Sequence, residues 1–207
     1  MSLQIQIDLS DKVKANDLGA LWDSEQNTWY IPDKKKISDY TKLIPEESDI
    51  IVKNPFFIAV NTGMCCSCKQ ETLIISIGAE QFLQGEYLDD ESEEKEWLLE
   101  KQLVLFSEVR YIPKNVIKAI HDKYGFYRLL DENSESDIWS NYCIHCNSLQ
   151  DDWSNHNQPG GAFFPCSKDE AKVIDLIKVN VNHDFPIVGG YALGDSNDLM
   201  RKYSKRL

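Results

Sequence analysis

Cys65-Cys66-Ser67-Cys68-Lys69-Gln70-Glu71-Thr72-Leu73-Ile74-Ile75-Ser76-Ile77 is the stretch on which the reading of this chain turns. Two thiols spaced two residues apart lead through a polar bend into a short apolar run. That is a metal knuckle running into a strand. Far downstream, Cys143-Ile144-His145-Cys146-Asn147 repeats the spacing. Two intervening residues let both sulfurs face one ion from a tight turn. Two such turns complete a tetrahedral four-sulfur site with bonds of about 2.3 Å. We therefore expect one structural Zn2+ ion on Cys65, Cys68, Cys143 and Cys146. Four sulfurs leave no position open for water or substrate, so the ion would be structural and not catalytic. The 74 residues between the pairs far exceed a compact zinc ribbon. Two other readings stay open at this point: a thiol–disulfide pair acting alone, and unbound buried cysteines. Lys69 and Asn147 each follow a second cysteine, where a polar residue bends the turn and donates to sulfur. Cys66 and Cys166 read as small buried apolar residues. His145 is either a substitute ligand or, as we expect, turned away from the ion.

Outward from the knuckles, the chain divides into two parts. Residues 1–45 read as a small N-terminal strand–helix–hairpin unit. Leu3, Ile5, Ile7 and Leu9 alternate as a strand, and a helix runs from about 10 or 11 to Leu18 with Gly19 as its stop. Ala20–Asp23, a polar turn at Ser24–Asn27 and Thr28–Pro32 form a small hairpin, and Ile37–Leu43 is a second short helix. Trp22 and Trp29 read as core, with ligand or base stacking as the alternative. Residues 45–49 read as a linker, and 50–207 as a mixed α/β, zinc-ribbon-like domain with a long insertion between its knuckles. Within it we expect strands at 72–77, 103–106, 126–130 and 138–142. Helices are expected at 113–124, with Gly125 as its stop, from the Ser167/Glu170 capping box to about Val179, and near 195. The fold class is α+β.

The formal net charge is −12, from 34 acidic and 22 basic residues. A surface of this sign repels phosphate backbones at long range and suits a basic protein partner. An acidity that serves only solubility is the plainer alternative. The acids gather at 86–100, where Lys95 is the only base. Asp89, Asp90, Glu91, Glu93, Glu94 and Glu96 are candidate partner-binding residues. The plainer reading of this stretch is a solvated helix face or a loop. The four histidines fall in no His-Glu-x-x-His pattern, and there is no Gly-x-Ser-x-Gly elbow and no phosphate loop. We expect no enzymatic activity. The N-terminus lacks a leader pattern, and no apolar run approaches the roughly 20 residues of a membrane span. A cytoplasmic location is expected, and its reducing conditions favour metal over disulfide.

Ile5-Gln6-Ile7-Asp8-Leu9, then Leu18-Gly19-Ala20-Leu21-Trp22-Asp23, then Thr28-Trp29-Tyr30-Ile31-Pro32 resemble a short uncharacterised bacterial domain. That domain occurs in plasmid and phage proteins beside primase-like and anti-restriction modules, and the likeness covers about residues 3–45. Asn141–Gln150 with Gly160–Pro165 resemble uncharacterised bacterial proteins with split cysteine knuckles, some beside secreted toxins. Neither resemblance implies an activity. Together these features point to a zinc-stabilised cytoplasmic binding protein that inhibits a basic partner, an immunity protein neutralising a bacterial toxin. The alternative is a nucleic-acid-associated accessory protein of a mobile element, working through Lys34–Lys36, Arg201–Arg206 and exposed aromatics.

Overall fold

The structure, a computed structural model, describes residues 2–7, 12–32, 43–87, 95–130 and 138–207. Strand β1 (Leu3–Ile5) is followed by helix α1 (Lys12–Asp17) and by the hairpin β2 (Leu21–Asp23) and β3 (Thr28–Ile31). Gly19, at φ 74°, ends the helix in a conformation that glycine adopts without strain. The three strands pair in the order β1-β3-β2, all antiparallel. The Asp23 carboxylate accepts the N–H groups of Glu25 and Gln26 and shapes the hairpin turn. The helix expected at 37–43 lies outside the described residues apart from Leu43, as do Leu9 and Lys34–Lys36.

The body is one broad sheet. Its strands are β4 (Ile50–Val52), β5 (Phe56–Met64), β6 (Glu71–Ala79), β7 (Phe82–Tyr87), β8 (Lys95–Glu100), β9 (Val104–Tyr111), β12 (Asp175–Val179), β13 (Phe185–Tyr191) and β14 (Lys205–Arg206). Among the described residues their order is β14-β12-β5-β6-β9-β13-β4-β7-β8. Helix α2 (Lys114–His121) and the ribbon β10 (Tyr127–Leu129) and β11 (Trp139–Asn141) follow β9. The short helices α3 (Asp152–Asn157) and α4 (Lys168–Lys172) precede β12, and α5 (Asp195–Tyr203) follows β13. No helix among the described residues is long and apolar enough to cross a membrane.

Both faces of the central strands are covered, so they read as continuous apolar runs and not as alternation. Phe56, Ile58, Ile75, Ile77 and Phe106 share one core with Val116 and Ile120 of α2. Phe57, Ala59, Ile74 and Leu105 share the other with Phe163 and with Met200 of α5. At the far end Ile51, Leu83 and Trp97 meet Leu3, Ile5 and Ile31 of the N-terminal sheet. The β1 backbone also bonds to residue 184: Gln4 donates to the Asp184 carbonyl, and the Asp184 N–H donates to Ser2. His183 completes this junction. Its ring stacks on Tyr30 at 4.0 Å, and its nitrogens lie 2.8 Å from Ser2 Oγ and 2.9 Å from the Asp23 carboxylate. Asn182, above all, holds that carboxyl down to about 2, with burial opposing.

The structure corrects several expectations. Helix α4 stops at Lys172, and residues 175–179 form β12 against β5. Val173 is exposed, while Ile174 and Leu176 are buried two residues apart, which is strand spacing. The cap itself forms: Ser167 accepts the Glu170 N–H, and Glu170 accepts the Cys166 N–H. Helix α2 ends at His121 with its C-cap Asp122 still right-handed, and Gly125 does not adopt a left-handed φ. Trp29 is buried, but Trp22 is 40% exposed and only edges onto it. In the acidic stretch the described residues form a hairpin, β7–β8, and not a helix face. Gly85 faces Trp97 there, and a Cβ on it would press the indole at 3.2 Å.

The cores predict a large cost for any cavity. Phe56→Ala, at a fully buried position, should destabilise the fold by about 3–5 kcal/mol in denaturant unfolding, with an unchanged slope.

Candidate metal centre

The first knuckle is the tip of the β5–β6 hairpin, just beyond the Met64–Glu71 pair. Cys65 N–H donates to the Gln70 carbonyl at 2.9 Å, and Lys69 N–H returns to the Cys65 carbonyl at 3.1 Å. The second knuckle repeats this pattern. Cys143 N–H donates to Ser148 at 2.8 Å, and Asn147 N–H to Cys143 at 2.9 Å. Lys69 and Asn147 sit at φ 59° and 60°, the left-handed bend each turn requires. In each turn a backbone N–H, of Ser67 or His145, points at the first sulfur from 3.4 Å.

Side chains along β6 hold the second turn against the first. Strand β9 pairs with β6 only at Ile77–Ala79. The Asn141 amide takes over at Ile75, accepting its N–H and donating to its carbonyl, both at 2.9 Å. Ile144 N–H donates to Thr72 Oγ1 at 3.1 Å. His145 Nε2 lies 2.8 Å from the Glu71 carbonyl, so this ring is turned away from the sulfurs.

The four cysteines therefore meet. Cys65 and Cys146 sulfurs are 3.7 Å apart, as are those of Cys68 and Cys143, and all four lie within 4.8 Å of one another. Bonds of 2.3 Å to a tetrahedral ion give an edge of roughly 3.8 Å. A disulfide would need about 2.05 Å. The cluster is a plausible site for one metal ion. Cys65 and Cys143 are buried, Cys68 is half-buried and Cys146 is exposed.

The electrostatics also call for a cation. The Ser148 hydroxyl, 3.2 Å from Cys65 and 3.1 Å from Cys146, is the largest influence on both thiols. It pulls Cys65 down to about 5, against burial and with help from the Cys68 and Ser67 N–H groups. Cys146 is lowered for the same reason. At Cys68 the Gln70 N–H also pulls down, but burial and the three neighbouring sulfurs push the thiol up to about 12. Thiolates this close cannot all ionise without a positive charge between them. Gln150 Nε2 donates to Cys65 Sγ at 3.6 Å and to the Ser148 carbonyl at 2.8 Å, fixing the loop. Cys66 and Cys166 take no part in the cluster. Contrary to expectation both are exposed: Cys66 lies in the turn between two ligand cysteines and Cys166 in the bend that precedes α4.

Of the other candidates, Asp89, Asp90, Glu91, Glu93 and Glu94 lie outside the described residues. Glu96 is exposed on β8. One constellation escaped the sequence reading. His156 Nε2 lies 2.9 Å from Ser76 Oγ, and its Nδ1 lies 3.2 Å from the Asp152 carboxylate. This is the atom order of a Ser–His–Asp triad. Ser76, however, is 2% exposed in the middle of the sheet, and its hydroxyl reaches the Phe106 carbonyl. The carboxylate accepts the N–H of Glu108, held at φ 49° in β9. Burial opposes its ionisation, but the His156 ring and this N–H hold the carboxyl below the usual range. The network clamps an irregularity in β9. The only sequence signal for it was the Asp152/His156 spacing on one helix face.

Residues 3–45 match a family described as a domain of unknown function (DUF5710). No curated protein and no solved structure matches the chain.

Purified protein should carry about one equivalent of metal by elemental analysis. Cys143→Ser should lose it and melt on the order of 10 °C lower. A metal-free wild type that stays folded would contradict the assignment. Ser148→Ala should weaken metal affinity by about 10–100-fold in chelator competition. Cys68 holds its proton at neutral pH in the metal-free protein and must release it on binding. Apparent affinity should therefore rise from about pH 6 to 8, by roughly tenfold per unit for each proton released.

Proposed function

We propose that the chain is a non-enzymatic binding protein whose scaffold is pinned by a structural zinc ion. It presents the β7–β8 hairpin to a basic protein partner. An all-thiolate tetrahedral set suits zinc, which has no redox chemistry to perform there. The observation that carries the reading is the edge of the sheet. Among the described residues β8 is a terminal strand, with one flank unpaired. Leu98 and Leu99 are exposed on it, and Tyr87 is exposed beside it on β7. Glu86 and Glu96 pair across the hairpin, and the sequence between the strands is acidic. Leu98 shares one face with Glu86 and Glu96, and Leu99 shares the other with Tyr87, so the open edge carries exposed apolar side chains on both faces, beside acids on one. Apolar residues bordered by charge suit a protein-docking surface.

Lys95 does not neutralise this rim. Its ammonium is held by Asp49 and by the carbonyls of Glu46 and Ser48. Burial opposes its charge, yet Asp49 raises its pKa above the ordinary lysine value. The acids are left to steer a cationic partner. Within this class, an inhibitor that blocks a basic toxin accounts for the acidity, the size and the rigid framework, and immunity is the specific role we propose.

The partner is to be captured from the native host and its binding followed kinetically. Glu96→Lys with Glu93→Lys and Glu94→Lys should slow association by about tenfold and flatten its salt dependence. Leu98→Asp with Leu99→Asp should speed dissociation. Kinetics unchanged in both variants would remove the hairpin as the docking surface.

A further inference from the structure

A groove of about 700 Å3 lies between the N-terminal sheet and the body, where β9 turns into α2. Its volume falls within the roughly 300–1,000 Å3 range of small-molecule sites. Three indoles line it: Trp22, Trp29 and Trp139. Trp22 and Trp29 meet edge to face at 5.3 Å, and Trp22 keeps 40% of its surface exposed. An aromatic left open against another in a groove is available to stack a ligand.

Among the described residues, the charge lining the groove opposes that of the chain. Arg110 and Lys114 line it and are exposed, and neither makes an ion pair among the described residues. No carboxylate among the described residues lines it, although the net charge is −12. Helix α2 starts here behind Pro113, without a side-chain cap and without an acid in its first turn. Its first N–H groups and its dipole thus favour an anion. Trp29, 8% exposed, adds an indole N–H that finds no acceptor among the described residues. The groove is also held in shape. The Gln4 amide donates to Asn115, and Asn115 donates to Gln26, tying the N-terminal unit to α2.

From these features we infer that the groove binds a nucleobase carrying a phosphate, either as a free nucleotide or within a single strand of nucleic acid. The base packs on the indoles. The phosphate sits at the start of α2 between Arg110 and Lys114. The overall acidity does not forbid this. Charges beyond about 10 Å are largely screened at 0.1 M salt, so the two nearby cations set the local field. A duplex is excluded because its bases are already stacked inside and cannot reach the indoles.

The test is tryptophan fluorescence titrated at about 0.1 M salt with AMP, with a short oligo-dT strand and with a matched duplex. Saturable quenching is expected with AMP or oligo-dT, and none with the duplex. Equal binding of AMP and oligo-dT identifies a free nucleotide as the source, and binding of oligo-dT alone identifies a strand. Arg110→Glu with Lys114→Glu should weaken binding by about tenfold or more, and Trp22→Ala by about tenfold. All three positions are solvent-exposed, and unchanged thermal melting confirms that the variants fold. No saturable quenching by either ligand, equal binding of the duplex, or an affinity untouched by the charge reversal would overturn the proposal.

Discussion

Two tight turns separated by 74 residues bring four sulfur atoms to within 4.8 Å of one another, and the body is organised around that meeting. One turn is the tip of the β5–β6 hairpin, and the other follows β11. The chain between them supplies β6, β7, β8 and β9 of the sheet, and α2 on its face. The cluster therefore closes a loop that contains much of the core. Such a closure limits the unfolded chain far more than a local finger would. Close thiols repel as they ionise, burial and the neighbouring sulfurs push the Cys68 thiol up, and a cation held among the four would offset that repulsion.

The cysteine cluster is held together by more than its sulfurs. Asn141 behaves as an extra backbone unit beside Ile75, and Thr72 and Glu71 anchor the second turn. Ser148 serves two sulfurs from opposite knuckles. These contacts bring the ligands near tetrahedral spacing and lower the reorganisation that binding demands.

Net charge describes this surface poorly. The acidic hairpin lies at one end of the sheet, and its lone lysine is consumed by Asp49. The groove beside α2 is lined by two cations and no described carboxylate. Within a chain of charge −12, acidic and basic residues are thus segregated to different places on the described surface. Field strength near a surface is set by the closest charges, not by their sum.

The cysteine pairs, the β2–β3 hairpin and the start of α2 were legible in the sequence because their causes are local. Thiol spacing, a turn between apolar triplets and a proline before an apolar stripe act within a few residues. Residues 173–179 misled because Val173, Ile174, Leu176 and Ile177 suit a helical stripe as well as a strand. Only the free edge of β5 decided between them. Trp22 reads like Trp29, and only the packing of the N-terminal sheet on β4, β7 and β8 left one open and buried the other. Ser76 and His156 are 80 residues apart, so no local signal could join them. The sequence alone determined which side chains could hold a metal, because ligand chemistry belongs to residue type and short spacing. Whether those side chains meet, which strand lies at the edge and where a groove opens were decided by tertiary structure. Those outcomes depend on contacts between residues that the chain itself keeps far apart.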